Sequence, residues 1–337
     1  MDRVVVVTGA NSGIGKAAAR QFAASGYHVI MACRSIERSR ESRDRIVAVT
    51  GNQRVELMQL DAASGSSIQA FAAALETRYP RIDVLINNAA YVEHGRPFAL
   101  GPEGIEVTFA TNVLGPYRLM RQLRPMLQRS TDPRILNIGS NIIKHFFDPK
   151  VHLDLDTLHG VPEGVPEPSV YHRYCRSKMA LLMVTFEMAR RLESEGISCN
   201  YLHVNGAKLS RETLAKMTRG YRILGRLQSI LLRKPEYMAN NYYELAHNER
   251  FRGVTGVCFN DRLEIMQPGD SETASPLEQI RFPLGRSHYP AYADNRDLRQ
   301  ELVGVCEGTI GVKNARVVDR GGDAPPLAQI DKSQNTS

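Results

Sequence analysis

The chain has 337 residues, of which 42% are hydrophobic and 23% are charged, and this composition predicts a globular protein with a well-packed core. The valine run near the N-terminus is too short for a signal peptide or a membrane span, so we expect a cytoplasmic protein without stable membrane insertion. The net charge is +7, and nearly all of the excess lies between Arg211 and Lys234, which predicts either a solvated helix face or a surface for an anionic ligand.

Short apolar runs alternate with helical patterns along the first 200 or so residues. The predicted strands are Arg3–Thr8, His28–Ala32, Arg54–Gln59, Val84–Asn87, Arg134–Ile138 and Ser198–His203, with Gly256–Phe259 as a candidate last strand. Strands that alternate with helices pair in parallel and are covered by helices on both faces. The sequence therefore predicts a doubly wound α/β sheet that binds its ligands at the carboxyl ends of the strands.

The later part of the chain departs from this rhythm. Long loops are predicted at about 145–168 and 267–292, because both ranges are rich in turn residues. A last helix is predicted over Asn295–Glu307. We assign residues 1–320 to a single domain and expect residues 321–337 to form a disordered tail.

The turn after the first strand reads TGANSGIGK and places glycines in the spacing G-x-x-x-G-x-G. Glycines at these positions permit a tight turn, let the backbone approach a pyrophosphate, and let the next helix pack closely. The N-terminus of that helix then supplies amide donors for the phosphates. The residues predicted to bind the dinucleotide here are Gly9, Asn11, Ser12, Gly13, Ile14 and Gly15.

The end of the second strand distinguishes between the two nicotinamide dinucleotides. Arg34 lies there, 19 residues after Gly15. NAD is usually recognised at this point by a carboxylate that accepts hydrogen bonds from the ribose hydroxyls, whereas an arginine favours the 2′-phosphate. The sequence therefore predicts NADP(H).

The stretch VYHRYCRSK contains two tyrosines, Tyr171 and Tyr174, ahead of Lys178. Residues four apart share a helix face, so Tyr174 and Lys178 lie side by side, but Tyr171 could share that face as well. A phenol titrates near pH 10, so a nearby cation is needed if a tyrosine is to act as a base at neutral pH. Periodicity alone leaves both tyrosines as candidates.

The glycine loop, Asp61 in LDAAS, the NNAA run, Asn112 in TNVLG, Ser140 in ILNIGS and the tyrosine–lysine pair occur in a characteristic order. In this order of motifs, the chain resembles the short-chain dehydrogenase/reductase superfamily, over about its first 210 residues. Details such as VIMACR resemble its branch of retinol dehydrogenases and related carbonyl reductases. The resemblance implies a Rossmann-type fold and an NADP(H)-dependent oxidoreductase.

The resemblance also implies roles at the cofactor. Asp61 would contact the adenine, and the backbone at Asn88 and Ala89 would run along the adenosine ribose. Lys178 would hold the nicotinamide ribose. Tyr174 would lie against the nicotinamide.

The implied catalytic residues are Asn112, Ser140, Tyr174 and Lys178. Tyr174 would be the general acid for ketone reduction, and Lys178 would lower its pKa. Ser140 would hydrogen-bond the substrate oxygen. Asn112 would order a water that links Lys178 to solvent. Tyr171, at the helix entrance, is then a residue of the pocket wall or of the packing.

Three features depart from the family pattern. Asn205 replaces the usual proline before Gly206, so Lys208 and Ser210 would face the carboxamide and the pyrophosphate in an altered turn. The gap from Ser140 to Tyr174 is 174 − 140 = 34 residues and contains four histidines, His145, His152, His159 and His172. Their spacings match no familiar ligand pattern, so we predict no metal and expect this loop to wall the substrate pocket. Val113 and Pro116 stand where histidines are frequent in the branch.

The substrate side is predicted from the segment at about 207–240, which forms a lid in similar folds. Its apolar residues favour a bulky hydrophobic carbonyl or alcohol, such as a secondary metabolite, and its basic residues permit an anionic group on it. We expect no nucleic acid partner. The helix Met179–Leu192 is apolar nearly all round, which predicts a homodimer or homotetramer unless the C-terminal part covers it within one chain.

A second hypothesis is a nucleotide-sensing or scaffold protein that keeps the fold without turnover. Asn205 and Val113 are its only hints. The four intact catalytic positions favour the enzyme.

Overall fold

The computed structural model describes residues 3–92, 98–155, 169–205, 233–270, 275, 277–278, 282 and 284–311. Its main sheet has seven parallel strands in the order β3-β2-β1-β4-β5-β6-β7. These strands are β1 Val4–Thr8, β2 His28–Cys33, β3 Val55–Gln59, β4 Val84–Asn87, β5 Arg134–Ile138, β6 Ser198–Leu202 and β7 Cys258–Phe259. The predicted fold class is therefore confirmed, with strand ends that differ by one or two residues.

Helices cover both faces of this sheet. They are α1 Gly13–Ala24, α2 Ile36–Thr50, α3 Gly65–Arg78, the short α4 Val107–Phe109, α5 Gly115–Leu127, α6 Val170–Leu192, α7 Pro235–His247 and α8 Arg296–Gly311. A π-helical turn, Ala110–Leu114, joins α4 to α5, and a 3-10 helix, Asn141–Phe147, follows β5. None of the helices in the described ranges has the length and apolar character needed to cross a membrane.

The strand order reverses between β1 and β4, which are neighbours in the sheet although β2 and β3 separate them in sequence. The connections leave β1 and β4 in opposite directions at this point, so a crevice opens at their carboxyl ends. The central strands are buried on both faces, and Val5, Val6 and Leu85 have no exposed surface. The crevice is thus formed at the ends of fully buried strands.

The apolar helix α6 is buried within one chain. Met179, Leu182 and Val184 have no exposed surface. The C-terminal helix α8 packs against α6, and the Tyr289 ring lies 5.4 Å from the Phe186 ring. The C-terminal part therefore covers the face that otherwise predicted a subunit interface, and the hydrophobicity of α6 is explained without a partner.

The segments predicted as loops contain short regular elements. Residues 267–292 include β8 Gln267–Gly269 and β9 His288–Pro290, which pair in parallel as a separate two-stranded sheet. Three-residue strands that contain Pro and Gly carry no periodic signal, so sequence reasoning could not find them. Of the predicted lid, residues 207–232 lie outside the described residues, and residues 235–240 begin α7, which packs against α1. The predicted tail also lies outside the described residues.

Candidate active site

The loop between β1 and α1 lines a cleft of about 420 Å³ at the crevice. Gly9 and Gly13 have φ angles of +65° and +55°, which side chains rarely tolerate. A Cβ on Gly15 would lie 2.5 Å from both the Asn88 Nδ2 and the Gly9 carbonyl oxygen. Gly15 is therefore required for the loop to pack against β4.

The N-terminus of α1 opens onto this cleft. Ser12 occupies the N-cap position but its side chain makes no capping hydrogen bond. The first amides of a helix have no partner within the helix, and together with the helix dipole they attract anions. The loop residues thus fit a pyrophosphate, which is the part of a dinucleotide that this turn would hold.

The remaining residues predicted to bind the adenosine half line the same cleft. They are Asn11, Ser12, Ile14, Arg34, Asp61, Asn88 and Ala89. Arg34 and Arg38 are exposed at its edge, and neither forms an ion pair with a carboxylate in the described part of the chain. Two cations are therefore available for an anionic group at the ribose end.

Thr8 and Tyr242 hold the cleft together and were missed in the sequence. The Thr8 hydroxyl accepts hydrogen bonds from the backbone N–H groups of Asn88 and Ala89, both at 2.9 Å. The Asn88 side chain donates to the Thr8 carbonyl oxygen at 2.9 Å and accepts from the Tyr242 hydroxyl at 3.1 Å. These bonds link the carboxyl ends of β1 and β4 to each other and to α7. No local sequence pattern could reveal contacts between residues so far apart in the chain.

Ser140, Tyr174 and Lys178 converge at the carboxyl end of β5. The Ser140 and Tyr174 side chains are hydrogen-bonded. The Lys178 ammonium lies 5.8 Å from the centre of the Tyr174 ring and donates to the Ile138 carbonyl oxygen at 2.9 Å. The structure therefore brings three of the four predicted catalytic side chains together.

Burial dominates the ionisation of this group. It raises the pKa of Tyr174 above its ordinary value, and the hydrogen bond from Ser140 opposes that rise. Burial also lowers the pKa of Lys178 to about 8, because its side chain is only 3% exposed. The raised pKa of Tyr174 is opposite in sign to the shift expected from the neighbouring lysine alone. It keeps the phenol protonated, the form that can donate a proton.

Asn112 lies in the π-helical turn and is fully buried. Its side chain accepts from the Tyr91 N–H at 2.7 Å, and donates to the Tyr91 carbonyl at 3.0 Å and the Ser177 hydroxyl at 3.0 Å. Ser177 directly precedes Lys178, so the hydrogen bond from Asn112 to Ser177 helps to hold the lysine in place. Its side chain is fully used in these contacts, which leaves the main-chain carbonyl as the group available for a water.

Tyr171 does not join this cluster. Its side chain is 46% exposed, its ring lies 5.8 Å from that of His145, and its hydroxyl is hydrogen-bonded to Cys175. Of the two tyrosines that periodicity left open, only Tyr174 meets Ser140. Gly206, Lys208 and Ser210 lie outside the described residues, as does His159.

Tyr201 is a further residue of the site that the sequence did not indicate. Its hydroxyl accepts from the Ser140 N–H at 3.3 Å and donates to the Lys178 carbonyl oxygen at 3.2 Å. A Cβ on Gly139 would lie 1.8 Å from the Tyr201 ring, so Gly139 leaves room for this phenol. Tyr201 thus fixes the distance between the strand that carries Ser140 and the helix that carries Tyr174.

Tyr201→Phe keeps the ring and removes both hydrogen bonds. For the carbonyl reduction predicted from the sequence, we expect kcat to fall roughly 10- to 100-fold, because small displacements of reacting groups have effects of this size. NADPH affinity, measured by fluorescence titration, should stay unchanged. Tyr117→Phe is the matched control, since it removes a buried hydroxyl that bonds Glu307 away from the site. An equal change in kcat for both variants would contradict a positioning role for Tyr201.

Comparison with known proteins identifies relatives along most of the chain. The family model for short chain dehydrogenase matches residues 3–147. Retinol dehydrogenase 13 of Homo sapiens is 34% identical over 282 residues, covering 82% of this chain and 82% of that protein. Retinol dehydrogenase 11 of Homo sapiens is 32% identical over 259 residues, or 77% of each. The structure of RhlG from Pseudomonas aeruginosa, an NADP active-site complex, has a TM-score of 0.59 at 24% identity and covers 77% of this chain and 94% of that chain.

Proposed function

The chain belongs to the short-chain dehydrogenase/reductase superfamily, in the branch of the retinol dehydrogenases, and on that premise we propose that it is an NADP(H)-dependent carbonyl reductase. The observation that carries the proposal is the meeting of Ser140, Tyr174 and Lys178 beside a cleft whose glycine loop fits a dinucleotide. Ketone reduction is the direction that we propose, with protonated Tyr174 as the general acid. The substrate is a bulky hydrophobic ketone or aldehyde.

Each side chain has a defined task in this reaction. The bound cofactor supplies the hydride that reaches the carbonyl carbon. Ser140 donates a hydrogen bond to the carbonyl oxygen, and Tyr174 transfers its phenolic proton to the same oxygen. The products are the alcohol and NADP⁺. Lys178, positively charged below its pKa of about 8, stabilises the phenolate that remains.

We propose that the proton given up by Tyr174 is replaced through a water behind Lys178. Asn112 lies in the π-helical turn, and Pro116 has no N–H that could bond to the Asn112 carbonyl oxygen. The Asn112 carbonyl oxygen can therefore accept from a water that also contacts the Lys178 ammonium. This arrangement gives Pro116, where the branch often has histidine, a role in proton supply.

The preference for NADP(H) rests on Arg34 and Arg38. Both are exposed at the cleft edge, and neither is paired with a carboxylate in the described chain, so a 2′-phosphate would gain charge-assisted hydrogen bonds that a 2′-hydroxyl would not. NADP bound to the structural relative supports the same choice. A cytoplasmic location is supported by the free, buried cysteines.

Arg34→Ala should weaken NADPH binding about 10- to 100-fold, since a hydrogen bond to a charged group contributes ~1.5–3 kcal/mol. NADH binding should change little. Both affinities are measured by fluorescence titration, with Arg45→Ala, an exposed arginine of the neighbouring helix, as control. An unchanged ratio of the two affinities after Arg34→Ala would exclude the arginine as the selecting residue.

The activity itself is tested by NADPH consumption with a panel of quinones, aryl ketones and long-chain aldehydes. The proposal predicts turnover of at least one hydrophobic member and loss of that turnover in Tyr174→Phe. Tight NADPH binding with no difference between wild type and Tyr174→Phe on every compound would instead support a nucleotide-sensing or scaffold protein.

A further inference from the structure

A second charged cluster lies on the other side of β5 from the dinucleotide cleft, at the carboxyl ends of β6 and β7. It consists of Lys144, Asp261 and Arg286, whose charges act on one another, and of the buried His203 beside them. Arg286 forms an ion pair with Asp261 at 3.1 Å. The Lys144 ammonium donates to the Gly285 carbonyl oxygen. The cluster therefore joins the segment after Ser140 to the C-terminal part of the chain.

The charges of this cluster do not balance. Asp261 neutralises Arg286, whereas the partner of Lys144 among the described residues is a neutral carbonyl. Lys144 is half-buried, and its pKa is lowered by burial and by the positive charge of Arg286. Asp261 also acts on Lys144, so the two cations share one carboxylate, and among the described residues the cluster keeps one unbalanced positive charge.

His203 adds an unpartnered polar atom to the same place. It is 1% exposed, and its Nδ1 lies 3.3 Å from the Met266 sulfur. Its Nε2 is buried and has no hydrogen-bond partner within the described residues. Burial keeps this ring neutral by lowering its pKa to about 3. With its proton on Nε2, the ring holds a buried donor that an anion would reach only after a local rearrangement.

Lys144 lies on the 3-10 helix that begins directly after Ser140. Ser140 is the N-cap of the 3-10 helix and Lys144 is its fourth residue. A 3-10 helix rises ~2 Å per residue, so the two residues are separated by roughly 8 Å along its axis. A ligand that reaches from the carbonyl held by Ser140 to Lys144 would therefore need a spacer of several carbon atoms.

We infer that Lys144 and Arg286, with His203 beside them, bind the carboxylate of a keto acid whose ketone is held by Ser140 and Tyr174. The inference rests on the proposed reductase function and specifies its substrate class. A carboxylate fits better than a phosphate, because the cluster lacks a single negative charge and the guanidinium fork of Arg286 suits two carboxylate oxygens. The Arg286 side chain is 43% exposed, so it can serve both Asp261 and a ligand.

The test uses phenyl ketones that carry a terminal carboxylate about three to eight bonds from the carbonyl carbon, together with their methyl esters. For at least one spacer length, wild type should reduce the acid with a KM at least ~10-fold below that of its ester, since a charge-assisted bond has that strength. Lys144→Met should raise the KM of the acids ~10-fold and leave the esters unchanged. Lys150→Met, at an exposed lysine of the same segment, should change neither.

Reduction of acids and esters with equal KM by wild type would overturn the carboxylate site while leaving the reductase function intact. If no compound is reduced, the shift of the thermal unfolding midpoint by the same acids and esters decides the matter. Stabilisation by the acids that is absent in Lys144→Met would support the site without the activity. Equal shifts of the unfolding midpoint in the wild type and in Lys144→Met would refute the carboxylate site. Stabilisation by inorganic phosphate alone, lost in Lys144→Met, would replace the carboxylate with a phosphate group.

Discussion

Replacement of Tyr174 by phenylalanine should lower kcat/KM for carbonyl reduction by about 10²–10⁴-fold, the usual contribution of a general acid. The variant keeps the buried ring beside Lys178 and loses only the hydroxyl that is hydrogen-bonded to Ser140. NADPH affinity should therefore remain within about threefold of the wild type, as measured by fluorescence titration. The loss should appear in kcat because the missing proton is needed only in the transition state.

Tyr171→Phe is the matched control for this experiment. It removes a hydroxyl from the same helix, three residues earlier, whose partner is Cys175 and whose ring is 46% exposed. We expect kcat to stay within about twofold of the wild type, since surface changes rarely have larger effects. Loss of turnover in Tyr171→Phe with retention in Tyr174→Phe would reverse the assignment of the two tyrosines.

Replacement of Lys178 by methionine should destroy activity and, in the cofactor-free protein, increase stability. Methionine fills the volume of the lysine stem but cannot stabilise a phenolate, so kcat/KM should fall at least about 10²-fold. Burial lowers the lysine pKa from 10.5 to about 8, a difference worth ~3 kcal/mol at 1.36 kcal/mol per unit. Methionine removes that cost and leaves the Ile138 carbonyl without its donor, so the net gain should be smaller, about 1–2 kcal/mol.

The pH dependence of stability identifies the cause of this gain. Between about pH 8 and 10.5 the unfolded chain holds a proton on Lys178 that the folded protein has lost, so the free energy of unfolding rises with pH in that window. Below pH 8 both states are protonated and the penalty is present in full. Urea denaturation at pH 7 and at pH 10 should show the wild type approaching Lys178→Met as the pH rises. A constant difference at both pH values would contradict a buried, destabilised lysine.

The sequence was sufficient to predict the parallel sheet, because each strand is a short apolar run between turn residues and helical patterns. It also indicated Arg34 at the cleft, since its distance from the glycine loop is set by one helix and one strand. It could not assign the role of α6, because an all-round apolar helix is equally consistent with a subunit interface and with cover from the C-terminal part. Only the packing of α8 against α6 distinguishes these two cases.

The supporting residues of the site were beyond sequence reasoning for a related reason. Tyr201 meets Ser140 across 61 positions, and Tyr242 meets Asn88 across 154. Such pairs depend on which strands and helices become neighbours, and one sequence carries no signal for them. The direction of the Tyr174 pKa shift could not be predicted either, because residue spacing indicates a neighbouring lysine but not how deeply the phenol is buried.

Transfer of deuterium from the nicotinamide C4 of labelled NADPH to a ketone tests the central claim most directly. The product alcohol is analysed by mass spectrometry after reaction with wild type, Tyr171→Phe and Tyr174→Phe. We predict deuterium on the carbinol carbon at comparable rates for wild type and Tyr171→Phe, and at a rate reduced at least about 10²-fold for Tyr174→Phe. Labelled alcohol formed by Tyr174→Phe at the wild-type rate, or none formed by a wild type that binds NADPH, would contradict the account.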